Sequence, residues 1–359
     1  MSSKKISAVV ILGLISIMIS LYYLSIHFFN SPEMFAKIIF DDCKEKRDKK
    51  ECYLGKFSKL GNDIAFNKLV LTELQIFDKT ALDCHIIAHK IGIVAVNKNP
   101  ENWRKLLQDN ADYNQCLGGY AHGIIEGFFY RENKKLDANL IEELCNSELE
   151  NIRTNCLHII GHLLLLQEKG DIKKALLICD KLFDNYECYL GVFMEYTTRF
   201  GLIDHKIAEA MDVNEKTINE LESFCETLNT IAQKACASEM GRLYRIYHKG
   251  NFSKNIDSCF EMGGLENIKS CINFSLVSKL GSEISYAKII ETCSYFSESK
   301  IYSKEQCILV SLSYVRTVRN NIEFNNIALL CQDRSIKRKR ICNSLLEDLK
   351  TGNYHTIDL

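Results

Sequence analysis

Two of the 359 residues are proline, Pro32 and Pro100. Proline fixes φ and removes a backbone donor, so its near absence lets helices run uninterrupted and makes an all-α fold the expectation. Net charge is lacking too: 45 lysines and arginines stand against 46 aspartates and glutamates. That balance gives no electrostatic basis for binding nucleic acid, and no basic stripe with interleaved aromatics occurs. The densest positive run, IKRKR at 336–340, reads as a solvated loop. No Cys-x-x-Cys occurs, which leaves zinc ribbons, iron–sulfur clusters and c-type haem attachment unsupported. Cysteine is missing from the first 42 residues and then abundant, with sixteen in the remainder. An even number confined to one side of a hydrophobic segment implies disulfides in an oxidising compartment.

That hydrophobic segment is ISAVVILGLISIMISLYYLSIHFF at 6–29, preceded by Lys4 and Lys5. A membrane-spanning helix needs about 20 apolar residues, and this run suffices. It is longer than the apolar core of a signal peptide, and no A-x-A pattern follows it. The expectation is an uncleaved single-pass anchor with residues 1–5 as a cytoplasmic stub and the bulk of the chain outside the cytoplasm, periplasmic or extracellular.

Beyond the anchor the chain repeats. Nine cysteines open mostly apolar helical stretches: Cys52, Cys84, Cys116, Cys156, Cys188, Cys236, Cys271, Cys307 and Cys342. Five of their eight steps are 32 or 35 residues, one is 36, and two lengthen to 40 and 48. Steps of this size are the length of one helix–turn–helix unit. The other seven, Cys43, Cys145, Cys179, Cys225, Cys259, Cys293 and Cys331, each precede the next helix-opening cysteine by 9 to 14 residues. The spacing suggests that a disulfide clamps the end of one helix to the start of the next. The expected pairs are Cys43–Cys52, Cys145–Cys156, Cys179–Cys188, Cys225–Cys236, Cys259–Cys271, Cys293–Cys307 and Cys331–Cys342, which leaves Cys84–Cys116. Closing a loop of this length stabilises by roughly 2–3 kcal/mol in the chain-entropy treatment.

The stretch LLICDKLFDNYECYLGVFMEY, with its Leu190–Gly191 pair echoed at Leu54–Gly55 and Leu117–Gly118, resembles the Sel1-like, tetratricopeptide-related repeats of cysteine-rich secreted proteins. The resemblance covers residues 40–350 and implies an α/α solenoid or curved toroid. It departs from that family in its missing alanine-rich positions and glycine-rich loops. A composition change divides the body into helical repeats over 30–200, a polar linker over 201–222 and further clamped repeats over 223–359. Asn251-Phe-Ser and Asn273-Phe-Ser match the glycosylation sequon.

Chemistry concentrates in the first half. Five of the nine histidines fall between residues 85 and 162. They make pairs at i,i+4 spacing, His85/His89 and His158/His162, with His122 paired to Glu126 and Glu195 following. A spacing of four puts both members on one helix face. Counted from the opening cysteines, His89, His122, His162 and Glu195 share one level, and His85 and His158 lie about one turn away. Imidazole and carboxylate suit zinc, iron, copper or manganese. The competing reading is a buried hydrogen-bond network. Neighbouring helices stand about 8–10 Å apart, so a site shared by four helices requires a curved or closed array. The set lacks the Glu of HExxH zincins and the i,i+3 spacing of ferritin-like sites. Phe128, Phe129 and Tyr130 read as core, and Tyr244, Arg245 and His248 have no evident partner set. The expected function is metal-dependent, a hydrolase or oxygenase. The rival is an interaction scaffold that presents a concave helical surface to a protein partner.

Overall fold

Serine, aspartate or asparagine stands immediately before many of the helices and starts them. The side chains of Ser31, Asp137, Asp171, Asn214, Asn229, Asn251 and Ser285 each accept a hydrogen bond from a backbone N–H of the first turn. Each such cap contributes about 1 kcal/mol. The computed structural model describes residues 31–57, 59, 70–71, 84–109, 119–132, 135–146, 150–199, 201–202, 206–280, 285–318 and 324–351. Among the described residues there are 17 α-helices and no strand.

In chain order the helices are α1 (Pro32–Cys43), α2 (Lys49–Phe57), α3 (Cys84–Lys98), α4 (Trp103–Asp109), α5 (Gly119–Glu132), α6 (Ala138–Cys145), α7 (Glu150–Gln167), α8 (Ile172–Cys179) and α9 (Tyr186–Thr198). They continue with α10 (Glu215–Glu226), α11 (Thr230–Tyr247), α12 (Phe252–Glu261), α13 (Leu265–Leu280), α14 (Tyr286–Ser294), α15 (Lys304–Val318), α16 (Phe324–Ala328) and α17 (Lys339–Thr351). The long odd-numbered helices from α3 to α17 touch in succession, most extensively as the pairs α3/α5, α7/α9 and α11/α13. The short helices α6, α8, α10, α12 and α14 lie against them and each carries a narrow apolar stripe. The stripe pairs a terminal or near-terminal cysteine with a buried residue four positions earlier: Ile141/Cys145, Ala175/Cys179, Leu221/Cys225, Ile289/Cys293 and, with a polar amide in the apolar place, Asn255/Cys259 of α12.

Seven disulfides close as the spacing predicts: Cys43–Cys52, Cys145–Cys156, Cys179–Cys188, Cys225–Cys236, Cys259–Cys271, Cys293–Cys307 and Cys331–Cys342, with Cα–Cα separations of 5.4 to 5.9 Å. The chain is therefore an array of regularly spaced, disulfide-linked helix pairs, and seven such bonds indicate an oxidising, extracytoplasmic location. The expected Cys84–Cys116 bond lies outside the described residues, as do the segment 6–29 and its role as an anchor. Among the described residues no helix is long and apolar enough to cross a membrane.

Two details differ from expectation. The cysteines expected to open helices sit inside them: Cys156, Cys236 and Cys271 each lie six residues past the helix start. No glycine or proline interrupts the residues just before them, so the helix extends back to its true start, at Asn229 in the case of α11. The polar stretch 201–222 contains the first two thirds of α10, whose Ile218 and Leu221 are buried.

A histidine and carboxylate cluster at two helix crossings

Two helix pairs in the first half cross at glycines. A Cβ on Gly92 of α3 would stand 2.2 Å from the carbonyl oxygen of Tyr120, and one on Gly123 of α5 would stand 1.9 Å from that of His89. In the second pair a Cβ on Gly161 of α7 would meet Cys188 O at 2.2 Å, and one on Gly191 of α9 would meet His158 O at 1.9 Å. Real Cβ atoms do not tolerate such distances, so only glycine permits backbone to lie against backbone here. The histidines flank these contacts. His89 and His158 lie three residues before Gly92 and Gly161, while His122 precedes Gly123 and His162 follows Gly161.

The crossings bring these side chains into two sets joined by a fourth ring, that of His122. In the first pair His89 Nε2 stands 2.7 Å from Glu126 Oε2, and both residues are half-buried. In the second pair His162 Nδ1 lies 3.2 Å from Glu195 Oε2. Glu195 is 2% exposed, and its other oxygen accepts the backbone N–H of Leu202 at 2.9 Å. His158 Nδ1 faces Glu187 Oε2 at 3.6 Å, an ion-pair distance rather than a hydrogen bond. The Nε2 atoms of His158 and His162 face one another at 3.3 Å. His122 is buried between the two sets. Its ring centroid lies 5.5 Å from that of His158, 5.4 Å from that of His162 and 6.3 Å from that of His89. The His158 and His162 centroids are 5.0 Å apart.

Hydrogen-bond bookkeeping constrains the protons. An ionised carboxylate only accepts, so the proton shared by His162 and Glu195 belongs to Nδ1. Burial pushes the His162 imidazole down from its usual range, against the upward pull of Glu195. A neutral His162 with its proton on Nδ1 has a bare lone pair on Nε2. His158 has two tautomers: a proton on Nε2 donates to His162 Nε2 at 3.3 Å, and a proton on Nδ1 points toward Glu187 at 3.6 Å and leaves Nε2 bare. In the second tautomer two lone pairs face one another and repel unless a further proton or a metal ion stands with them.

The expected single layer of His89, His122, His162 and Glu195 is thus rearranged. His89 turns to Glu126, and His158 joins His122 and His162. Side chains one turn apart on a helix lean the same way, which lets the rings of His158 and His162 meet. The side chain of His85 lies outside the described residues. Among the described residues no group of three His, Cys, Asp or Glu side chains is disposed, as it stands, to hold a metal ion. Glu187 was absent from the sequence-based set. The signal for it was there: it sits eight residues before Glu195, two turns back on the same face of α9.

The described side chains among the remaining sequence candidates make packing and hydrogen-bond contacts, and that of Tyr130 lies outside the described residues. Phe128 stacks on Trp103 with centroids 4.9 Å apart, and Phe129 is buried. Tyr244, Arg245 and His248 do have partners: Tyr244 donates to Glu222, Arg245 to the Ser278 carbonyl, and His248 pairs with Ser258. The IKRKR run is docked rather than freely solvated. Ile336 is buried, the backbone N–H groups of Lys337 and Arg338 donate to Glu305, and Lys339 donates to the carbonyl of Cys331.

Comparison with known proteins returns no match at any level: no family model, no curated protein and no solved structure matches this chain.

Proposed function

We propose that this protein is a membrane-anchored, extracytoplasmic helical-repeat protein, its helices stacked as a curved array, that binds a transition metal ion through His122, His158 and His162. The reading rests on one observation: the two Nε2 atoms facing each other at 3.3 Å while both Nδ1 atoms face carboxylates. A carboxylate on the far nitrogen is the usual means of orienting a metal-ligating imidazole and raising its basicity. Two nitrogens bound to one ion at about 2.0–2.1 Å in a tetrahedral set stand about 3.3–3.4 Å apart, the separation found here. The ring separations of 5.0, 5.4 and 5.5 Å make a nearly equilateral triangle. Bringing the three donors to one point calls for side-chain torsions to turn.

In this reading Glu195 and Glu187 position the ligands, and the His89–Glu126 pair stands beside the site as an acid–base group. A bound ion with a free coordination position would polarise water or dioxygen, which keeps a hydrolase or oxygenase activity in view. Residues 6–29 would hold the chain at a membrane. The alternative is an interaction scaffold, favoured by the exposure of Phe183 (96%) and Leu177 (59%) near one disulfide clamp.

Metal content of the full chain, purified in detergent from an oxidising compartment without an affinity tag, tests the proposal by plasma mass spectrometry. About one equivalent of zinc, iron, copper or manganese is expected, lost in His158→Ala and His162→Ala and retained in His248→Ala. A metal-free protein after incubation with all four ions would overturn it. The cluster would then be a proton-sharing network, and the scaffold reading would stand.

A further inference from the structure

The C-terminal ends of the long helices lie side by side. Arg131 near the end of α5 donates to the Asn97 carbonyl near the end of α3 at 3.1 Å. Gln167 at the end of α7 accepts the Leu136 N–H of the α5–α6 turn at 2.6 Å, and Arg245 near the end of α11 donates to the Ser278 carbonyl near the end of α13 at 3.0 Å. One edge of the array gathers these ends, and the disulfide clamps occupy the other. The Cys43–Cys52 bond ties the end of α1 to the start of α2, so α1 begins on the edge without clamps. Ser31 caps α1 two residues after the apolar run 6–29 ends. An anchor in that run puts this edge at the membrane.

One corner of the edge differs from its counterpart. The α7–α8 and α11–α12 turns share a backbone course: Lys169–Gly170 and Lys249–Gly250 all take positive φ, between 52° and 85°. In that register Leu165, Glu168 and Asp171 of the first turn become Arg245, His248 and Asn251 in the second. The α11–α12 turn loses two carboxylates and gains a guanidinium. Residues 245–256 carry Arg245, Lys249 and Lys254 and no acidic residue, and the next residue, Asp257, accepts the Tyr295 hydroxyl at 2.9 Å. Cations complement the dipole at any helix C-terminus, but that holds equally for α7 and does not account for the difference. All three cations are exposed, as are Lys279 at the end of α13 and Ile246, at 48%.

Beside these cations a cavity of about 210 Å³ opens between α11, α12 and α13, with Arg245 and Lys279 among its lining residues. That is room for a group of several heavy atoms. A guanidinium fork matches phosphate oxygens, and a lysine adds a point charge. An exposed aliphatic side chain on the same turn suits the boundary between headgroups and acyl chains.

We propose that this corner binds the phosphate of an anionic phospholipid. Arg245 and Lys279 hold the phosphate, Lys249 and Lys254 lie in the field of neighbouring headgroups, and Ile246 faces the acyl boundary. The inference rests on residues 6–29 being an anchor and is independent of the histidine cluster.

Lysine acetylation of the full chain in lipid nanodiscs, read residue by residue by mass spectrometry, tests it. Discs of phosphatidylcholine alone are compared with discs that also contain phosphatidylglycerol. Lys249, Lys254 and Lys279 are expected to react at least about fivefold more slowly in the anionic discs, the factor one cation contributes at an anionic surface. Lys181 and Lys300, exposed in clamp loops on the opposite edge, should react alike in both. Arg245→Gln should remove the protection of Lys279, and Lys279→Gln that of Lys249. Both replace exposed side chains, and the thermal midpoint checks that the variants fold. An inserted chain whose corner lysines react alike in both discs, protection equal to that of Lys181 and Lys300, or protection unchanged in both variants would each overturn the proposal and leave the anchor standing. Equal protection by millimolar inorganic phosphate in neutral discs would assign the corner to a soluble phosphate and overturn the lipid. A chain that stays out of the discs would overturn the anchor and this proposal with it.

Discussion

The pair α7/α9 and the pair α11/α13 are built to one plan and filled differently. Each long helix is clamped to the preceding short helix by a disulfide through Cys156, Cys188, Cys236 or Cys271. Each pair crosses at a glycine five residues past the cysteine of its first helix, Gly161 and Gly241, which meet the carbonyls of Cys188 and Cys271. In this register His158 corresponds to Ser238, His162 to Arg242, Glu195 to Ser278 and Glu187 to Ser270. The crossing is thus fixed by glycine and disulfide, and the chemistry by the residues beside them. The first pair directs histidines and carboxylates at one another. In the second pair Arg242 turns to the fully buried Glu239, which also accepts the hydroxyl of Thr197 from α9.

If the scaffold is common to both pairs, Gly161→Leu and Gly241→Leu should do equal harm, and this is the largest effect expected. Neither glycine can carry a side chain without parting backbones now in contact. Each substitution should cost about 4–5 kcal/mol or more, seen as a large fall in the thermal midpoint with disulfides intact. Gly55→Ala offers the control. A Cβ there meets nothing within 4 Å, and replacing a helical glycine by alanine should stabilise by about 0.5–1 kcal/mol. Tolerance of Gly241→Leu alone would break the comparison.

The next effect separates a structural polar node from a functional one. Removing one partner of a buried ion pair leaves the other charge stranded, at about 3–5 kcal/mol. Arg242→Met should show this, because Glu239 is fully buried and the Arg242 side chain is only 19% exposed. The double variant Glu239→Leu/Arg242→Met should recover most of the loss, since two apolar groups of similar size leave no charge uncompensated. Chemical denaturation of the single and double variants measures both. A double variant as unstable as the single would mean that Glu239 has work beyond holding Arg242.

How far the sequence carried these conclusions differs between the two levels. The clamps were legible because a disulfide between sequence-adjacent helices leaves its mark in the spacing of two cysteines, and all seven short pairs close as expected. The helix starts were less legible. Cys156 and Cys236 looked like openings because the apolar run begins there, yet the helices begin six residues earlier, in the less apolar stretches ENIRTN and TIAQKA. The site was half legible. Counting from cysteines found the residues but not their partners, because partnership depends on how helices rotate about a glycine contact. That rotation sent His89 to Glu126 and brought His158 to His162. The partnership of Tyr244 with Glu222 was hidden for the same reason, lying across two helices 22 residues apart in sequence.

The smallest effect sharpens the comparison at the carboxylates. Glu195 and Glu187 occupy the positions of Ser278 and Ser270 in the second pair, so removing their charge carries the first pair one step toward the second. Glu195 is held in place by the Leu202 N–H and sits at 3.2 Å from His162, whereas Glu187 stands farther from His158, at 3.6 Å, and is more exposed. Carboxylates that orient metal-bound imidazoles typically contribute about 10–100-fold in affinity. Glu195→Gln should therefore weaken metal binding toward the upper end of that range and Glu187→Gln toward the lower, as read by competition with a chromophoric chelator. Glu187→Gln should leave the fold and thermal midpoint little changed, whereas Glu195→Gln leaves one acceptor oxygen for two donors, His162 Nδ1 and the Leu202 N–H, and should also cost about 1–3 kcal/mol of stability. The order matters more than either value. Equal losses would mean that the long-range charge of the carboxylates supports the ion, and a larger loss at Glu187 would mean that His158, not His162, is the ligand whose proton position is fixed by its neighbour.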